Sequence, residues 1–125
     1  PPVFLSDQTL LKQILLNLLD NSLTYQKPDA VPEIQIRCRT DNQELILEIE
    51  DNGIGIPEEH QEKVFDIFQR LHSPEEYPGT GIGLALVRKG VKMLGGNIYL
   101  TSTPGQGSIF RIHLPLPEKE EQYDN

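Results

Sequence analysis

The chain has 125 residues, 37% hydrophobic and 24% charged, the make-up of one globular domain, and no apolar run reaches the ~20 residues needed to cross a bilayer. A formal charge of −8, part of it local to the acidic tail, argues against a surface that grips nucleic acid non-specifically, because a phosphate backbone would be repelled. The lone Cys38 cannot form an internal disulfide and no signal-like start is present, so a cytoplasmic setting without direct membrane contact is expected.

Leu10, Leu11, Ile14, Leu15, Leu18 and Leu19 recur every three or four residues, which predicts a helix over 7–25 with one buried face. Ser6 is the expected N-cap, with Asp7 in the first turn. Pro28 and Pro32 end that helix and punctuate a loop. Residues 33–40 alternate Ile34, Ile36 and Cys38 inward against Gln35, Arg37 and Arg39, and 44–50 alternate Leu45, Leu47 and Ile49. The two stretches predict a hairpin turning at 41–43.

A second helix is expected to start after Pro57, with Glu58 and Glu59 at the positive end of its dipole, and to run to about Phe68. Residues 71–80, rich in proline, form a loop. Leu84, Val87, Val91 and Leu94 predict a third helix from Ile82 to Leu94, stopped by Gly95 and Gly96. Residues 97–102 and 108–114 read as strands joined by a TPGQG turn. Helices on one face of a mixed, mostly antiparallel sheet give an α+β two-layer sandwich over 1–117. The acidic stretch 118–125 is expected to be a disordered tail.

Three features on this framework carry chemistry. Asn17 and Asn21, four apart, project from one face of the first helix, and an amide offers a neutral oxygen to a hard cation and an NH₂ to a phosphate. Asp51 follows a buried strand and precedes the glycine string DNGIGIP, so its carboxylate can accept a hydrogen bond from an amine on a flat base that Gly53 and Gly55 allow close to the backbone. GTGIGL places Gly79, Gly81 and Gly83 at the start of a helix, where free N–H groups hold an anion. That string lacks the GK[ST] ending of a P-loop and does not follow a strand, which disfavours both commoner nucleotide motifs.

The order of an asparagine helix, DxGxG at Asp51, Gly53 and Gly55, FxxF at Phe65 and Phe68, GTGxGL at Gly79, Gly81 and Gly83, and a final GxG at Gly105 and Gly107 resembles the ATP-binding catalytic domain of sensor histidine kinases, over about residues 5–116. QRLHSPEEYPGTGIGLAL is similar to the phytochrome-type and related bacterial kinases, whose lid is short. The resemblance implies a Bergerat-type pocket for ATP and Mg²⁺. Asp51 would recognise adenine and Tyr25 would line the base. Asn21 with Asn17 would hold magnesium and phosphates, and Arg70 would reach the phosphate end. Gly53, Gly55 and Ile56 of the first string, and Gly79, Thr80, Gly81, Gly83 and Leu84 of the second, would line the pocket. Phe65 and Phe68 would pack, and 71–80 would be the lid.

Two departures from the family pattern stand out. Thr24 replaces a lysine near the phosphates, for which Lys27 is the candidate substitute, and Ile109 replaces a threonine that assists adenine recognition. Both changes are expected to weaken affinity or transfer. The water-activating ATPases of the same superfamily carry a glutamate where Asn17 stands, and an amide has no useful basicity. Phosphoryl transfer to a partner is therefore favoured over hydrolysis.

His60, His72 and His113 lack the setting of an acceptor histidine. The acceptor is expected on a separate dimerisation domain of the parent protein, with a response regulator downstream. The chain begins almost at the asparagine helix, so the dimerisation helices, and the first strand of the domain, are expected to lie outside it. The alternatives are an ATP-binding interaction module without transfer activity and an anti-sigma-type serine kinase.

Overall fold

The computed structural model describes residues 2–66 and 83–116, with side chains from residue 8 onward. Its elements in chain order are α1 (Pro2–Thr24), β1 (Ile34–Asp41), β2 (Glu44–Asp51), two 3₁₀ turns (Glu58–His60 and Lys63–Phe65), α2 (Gly83–Met93), β3 (Asn97–Thr103) and β4 (Gly107–Pro115). The strands form one sheet in the order β1-β2-β4-β3, every described pair antiparallel. Both α-helices pack on one face, which makes the two-layer α+β sandwich expected from the pattern.

The predicted leucine stripe faces the sheet. Ile14 and Leu18 are fully buried, and Leu10, Leu11 and Leu15 flank them. From α2 come Val87 and Val91, both at 0% exposure, and from the sheet come Leu47, Ile49, Phe110, Ile112 and Leu114. Phe110, the bulkiest fully buried residue, takes the edge of Phe65 at 6.1 Å between ring centroids. Burying such side chains contributes roughly 1.5–3 kcal/mol each, which is what holds the helices on the sheet. Helix α2 ends as its glycines suggest: Gly96 N–H donates to Val91 O and Gly95 N–H to Lys92 O, each at 2.9 Å, in a Schellman arrangement.

Three local expectations need correction. Helix α1 starts at Pro2, so Ser6 lies inside it and is not the cap. Proline is tolerated there because the first turn has no partner for its missing N–H. The helix expected from Pro57 to Phe68 is, as far as residue 66, two single 3₁₀ turns. Residues 58–63 are all polar, so among the described residues of this stretch Val64 and Phe65 alone are buried, and 58–63 present no amphipathic face. Ile36 and Cys38 share the core face of their partners Ile49 and Leu47, yet both are exposed, Ile36 at 53%. Alternation identifies the face of a strand; it does not say whether a helix reaches the sheet edge to cover it.

The β1–β2 hairpin has a two-residue loop with Asn42 at φ 50° and Gln43 at φ 64°. Both values match a type I′ turn, whose twist fits the strands it joins.

Candidate functional site

Asp51 ends β2 at the junction of α1, β4 and the first glycine string. It is 9% exposed. The Ser22 hydroxyl donates to its Oδ2 (3.1 Å) and the Gly53 N–H to its Oδ1 (2.9 Å), with a further bond from the Ser108 backbone. Burial pushes the carboxyl above its ordinary value, and these donors pull the other way without restoring it. An anion buried among uncharged donors is incompletely compensated, which is the condition under which it seeks a further donor.

The glycine string is built against two other segments. Tyr25 O accepts from Ile54 N–H (3.1 Å), Ile54 O accepts from Gly105 N–H (2.8 Å), and Gly105 O accepts from the Lys27 ammonium (2.9 Å). Ile56 N–H donates to Ser102 Oγ (2.8 Å), and Gln61 Nε2 reaches Ile56 O (3.0 Å) and Ser102 O (3.2 Å). A Cβ on Gly53 would collide with Tyr25 O, and one on Gly55, at φ +76°, with Thr103 O. These two glycines are thus required by the approach of one backbone to another, whatever a ligand adds. Asn52 fastens the loop before β1, accepting from Glu33 N–H and donating to Val31 O, both at 2.8 Å.

The bond from Ser22 to Asp51 places the last turns of α1 beside the glycine string. Asn21 is its neighbour, and Asn17 lies one turn, about 5.4 Å, back along the axis. Both asparagines are half-buried, and among the described residues their side-chain amides have no hydrogen-bond partner. Thr24 and Lys27 line one open hollow of about 660 Å³ at the end of α1, together with Gln26, Pro28 and Ala30. Asp51 is not among the residues that line it. Ile56 and Leu84 pack partly buried against the core, and Gly83 opens α2 with nothing among the described residues where a side chain would project. Arg70, Phe68, Gly79, Thr80, Gly81, His72 and the expected lid lie outside the described residues, as does the tail from residue 117.

A family model for the histidine kinase-, DNA gyrase B- and HSP90-like ATPases matches residues 6–118, which contain the asparagine helix, the Asp51 junction and both glycine strings. The chain belongs to this ATPase family. It is 39% identical over 115 residues to the phytochrome-like protein Cph1 of Synechocystis, covering 92% of this chain and 15% of that protein. It is 40% identical over 115 residues to the circadian input-output histidine kinase CikA of Synechococcus elongatus, covering 90% and 15%. The chain therefore spans under a sixth of either relative. Its fold matches the mycobacterial sensor histidine kinase MprB with a TM-score of 0.75 at 29% identity, over 88% of this chain and 75% of that one.

The family's last glycine box is read differently once the register is known. Ser108 pairs with Asp51 and lies on the site side, whereas Ile109 pairs with Glu50 and Thr101 on the opposite face of β4. The groups that meet Asp51 are the Ser22 hydroxyl and the Ser108 backbone, while the Ser108 hydroxyl is bonded to that of Ser102 at 2.7 Å. The change at Ile109 consequently removes nothing that touches Asp51. Ser22, Ser102 and Gln61 went unremarked in the sequence. Ser22 alone left a signal there, as a polar residue four after Leu18 on the buried stripe.

Proposed function

We propose that this chain is the ATP-holding part of a cytoplasmic sensor-kinase segment: it binds Mg-ATP and passes the γ-phosphate to a histidine on a separate dimerisation domain of its parent, with a response regulator downstream. The observation that carries the reading is Asp51, a buried carboxylate held, among the described residues, by uncharged donors, with acceptor capacity left for the exocyclic amine of adenine. Tyr25, Ile56, Gly53 and Gly55 sit around that junction and would frame the base.

Asn17 and Asn21 fit a cation held jointly with phosphates, since their amide oxygens are hard, neutral and unpartnered among the described residues. Magnesium bound there would neutralise charge on the phosphates. Gly83 and Leu84 at the start of α2, with Gly79, Thr80 and Gly81 before them and Arg70 beyond the FxxF element, would receive the phosphate chain at a helix N-terminus. Asn17 cannot accept a proton from water, which favours a side-chain acceptor over hydrolysis. The likeness to CikA and MprB, both named as histidine kinases, supports the same acceptor.

The test is titration of ATP, with and without magnesium, into the chain and its Asp51→Asn variant. Binding is expected to weaken at least about tenfold, the scale of one lost charge-assisted hydrogen bond. Unchanged binding would remove the adenine assignment. Labelled ATP with a matching dimerisation domain in trans is expected to give an acid-labile phosphoprotein. An acid-stable product would assign a serine kinase, and no product with intact binding would assign a module that does not transfer.

A further inference from the structure

We infer that Ser22 is a positioning residue for base recognition, its buried hydroxyl fixing the Asp51 carboxylate in the orientation that presents the remaining lone pairs to the ligand. This deepens the reading of Asp51 as the base acceptor and rests on it.

Ser22 occupies a core position. It follows Ile14 and Leu18 at intervals of four, and the three are 1%, 0% and 1% exposed. A hydroxyl in such a place costs free energy unless it is bonded, and it competes with the helix backbone for partners. Packing alone is served by an alanine, which is also the better helix former. The hydroxyl instead reaches across to another element, 29 residues away in sequence, and donates to Asp51 Oδ2 at 3.1 Å.

The Asp51 carboxylate is then pinned from both ends. Gly53 N–H holds Oδ1 and Ser22 holds Oδ2. A carboxylate has about four lone-pair sites, so these two donors and the Ser108 backbone together leave acceptor capacity on the group while removing rotation about the side-chain torsion. With Ser22 lost, one oxygen stays buried with one donor fewer and the group can turn away from the base. The effect is confined to the end that reads the base, because Ser22 points at Asp51 and the asparagines project from another side of α1.

The experiment compares ATP with purine riboside 5′-triphosphate, which keeps the phosphates and lacks the exocyclic amine, on the full chain and on Ser22→Ala. ATP affinity is expected to fall about tenfold, the scale of one donor lost from a charged acceptor. The analogue should change little, so the preference for ATP narrows. Equal loss for both nucleotides would make Ser22 merely structural and overturn the proposal, as would no loss for either. Ser22→Cys, near in size and a weak donor, should show an intermediate preference, and it supplies the same readout if the alanine variant does not fold. Asp51→Asn serves as the control: it should erase the preference, and a preference that survives there overturns the base reading itself rather than the part assigned to Ser22.

Discussion

Glu48 and Asp51 lie three residues apart on β2 and are hidden to nearly the same degree, 6% and 9% exposed, yet they point to opposite faces of the sheet and into opposite electrostatic settings. On the outer face Glu48 sits beneath Arg111, Arg37 at 3.1 Å and Arg39 at 3.6 Å, and the bonds from Arg111 and Arg37 hold its carboxyl below the ordinary value. At the strand's end Asp51 has Ser22, Gly53 and Ser108 but no cation among the described residues, and burial holds it above the ordinary value. The charge of Glu50 pushes the same way. A carboxylate whose charge is matched by its own protein serves the fold. One whose charge is left unmatched is available to a ligand, at some cost to the fold.

The largest effect is expected from breaking the platform that keeps Asp51 in this state. Gly55→Ala puts a side chain at φ +76° and against Thr103 O. The backbone conformation alone costs about 1–3 kcal/mol, and Thr103 must move in addition. Urea unfolding should show a lowered midpoint with unchanged slope, and ATP binding should be lost. Retained affinity in a destabilised protein would show that the base end does not depend on this platform, and the contrast between the two ends of β2 would lose its structural basis.

The pH dependence separates the two carboxylates by sign. Glu48, with its folded value lowered, contributes stability that is present above the ordinary carboxylate value of 4.5 and lost as pH falls through the depressed value. Glu48→Gln should flatten that part of the acid limb and leave nucleotide affinity alone. Asp51, with its folded value raised from 3.8, works in reverse. Its charged form burdens the fold at neutral pH, and the burden is relieved as pH falls through the raised value. Affinity for ATP should fall over the same interval, since the protonated group has lost its acceptor character. Asp51→Asn should accordingly hold or raise the melting temperature at pH 7 while losing the pH dependence of binding in that interval. A melting temperature clearly below that of the parent chain would mean that the Asp51 charge stabilises the fold after all.

This contrast explains what could be read beforehand. The faces of α1 and α2, the four strands and the β1–β2 hairpin follow from period and turn residues, because those signals are local. The alternation of Glu48 between Leu47 and Ile49 placed it outward, but nothing local could tell that Arg111, 63 residues on, would cover it. Asp51 was legible through its glycine string. Its partners Ser22 and Ser108 were not, because each is chosen by how α1 and β4 meet β2. The 3₁₀ turns after Pro57 and the bare edge of β1 escaped for the same reason, since both depend on which part of the sheet the helices cover.

The smallest expected effect tests the principle on a neutral group. The amide of Asn21 has no hydrogen-bond partner among the described residues, and asparagine is a poorer helix former than alanine by about 0.5–0.7 kcal/mol. If Asn21 is kept for a ligand and not for the fold, Asn21→Ala should raise stability by about that amount in urea. It should also weaken ATP binding more with magnesium present than without, because the lost atom is an oxygen offered to the cation–phosphate end. A variant that is less stable than the parent would show the amide to be part of the fold. Asn21 would then belong with Glu48, among groups whose polarity the protein satisfies for itself, and not with Asp51.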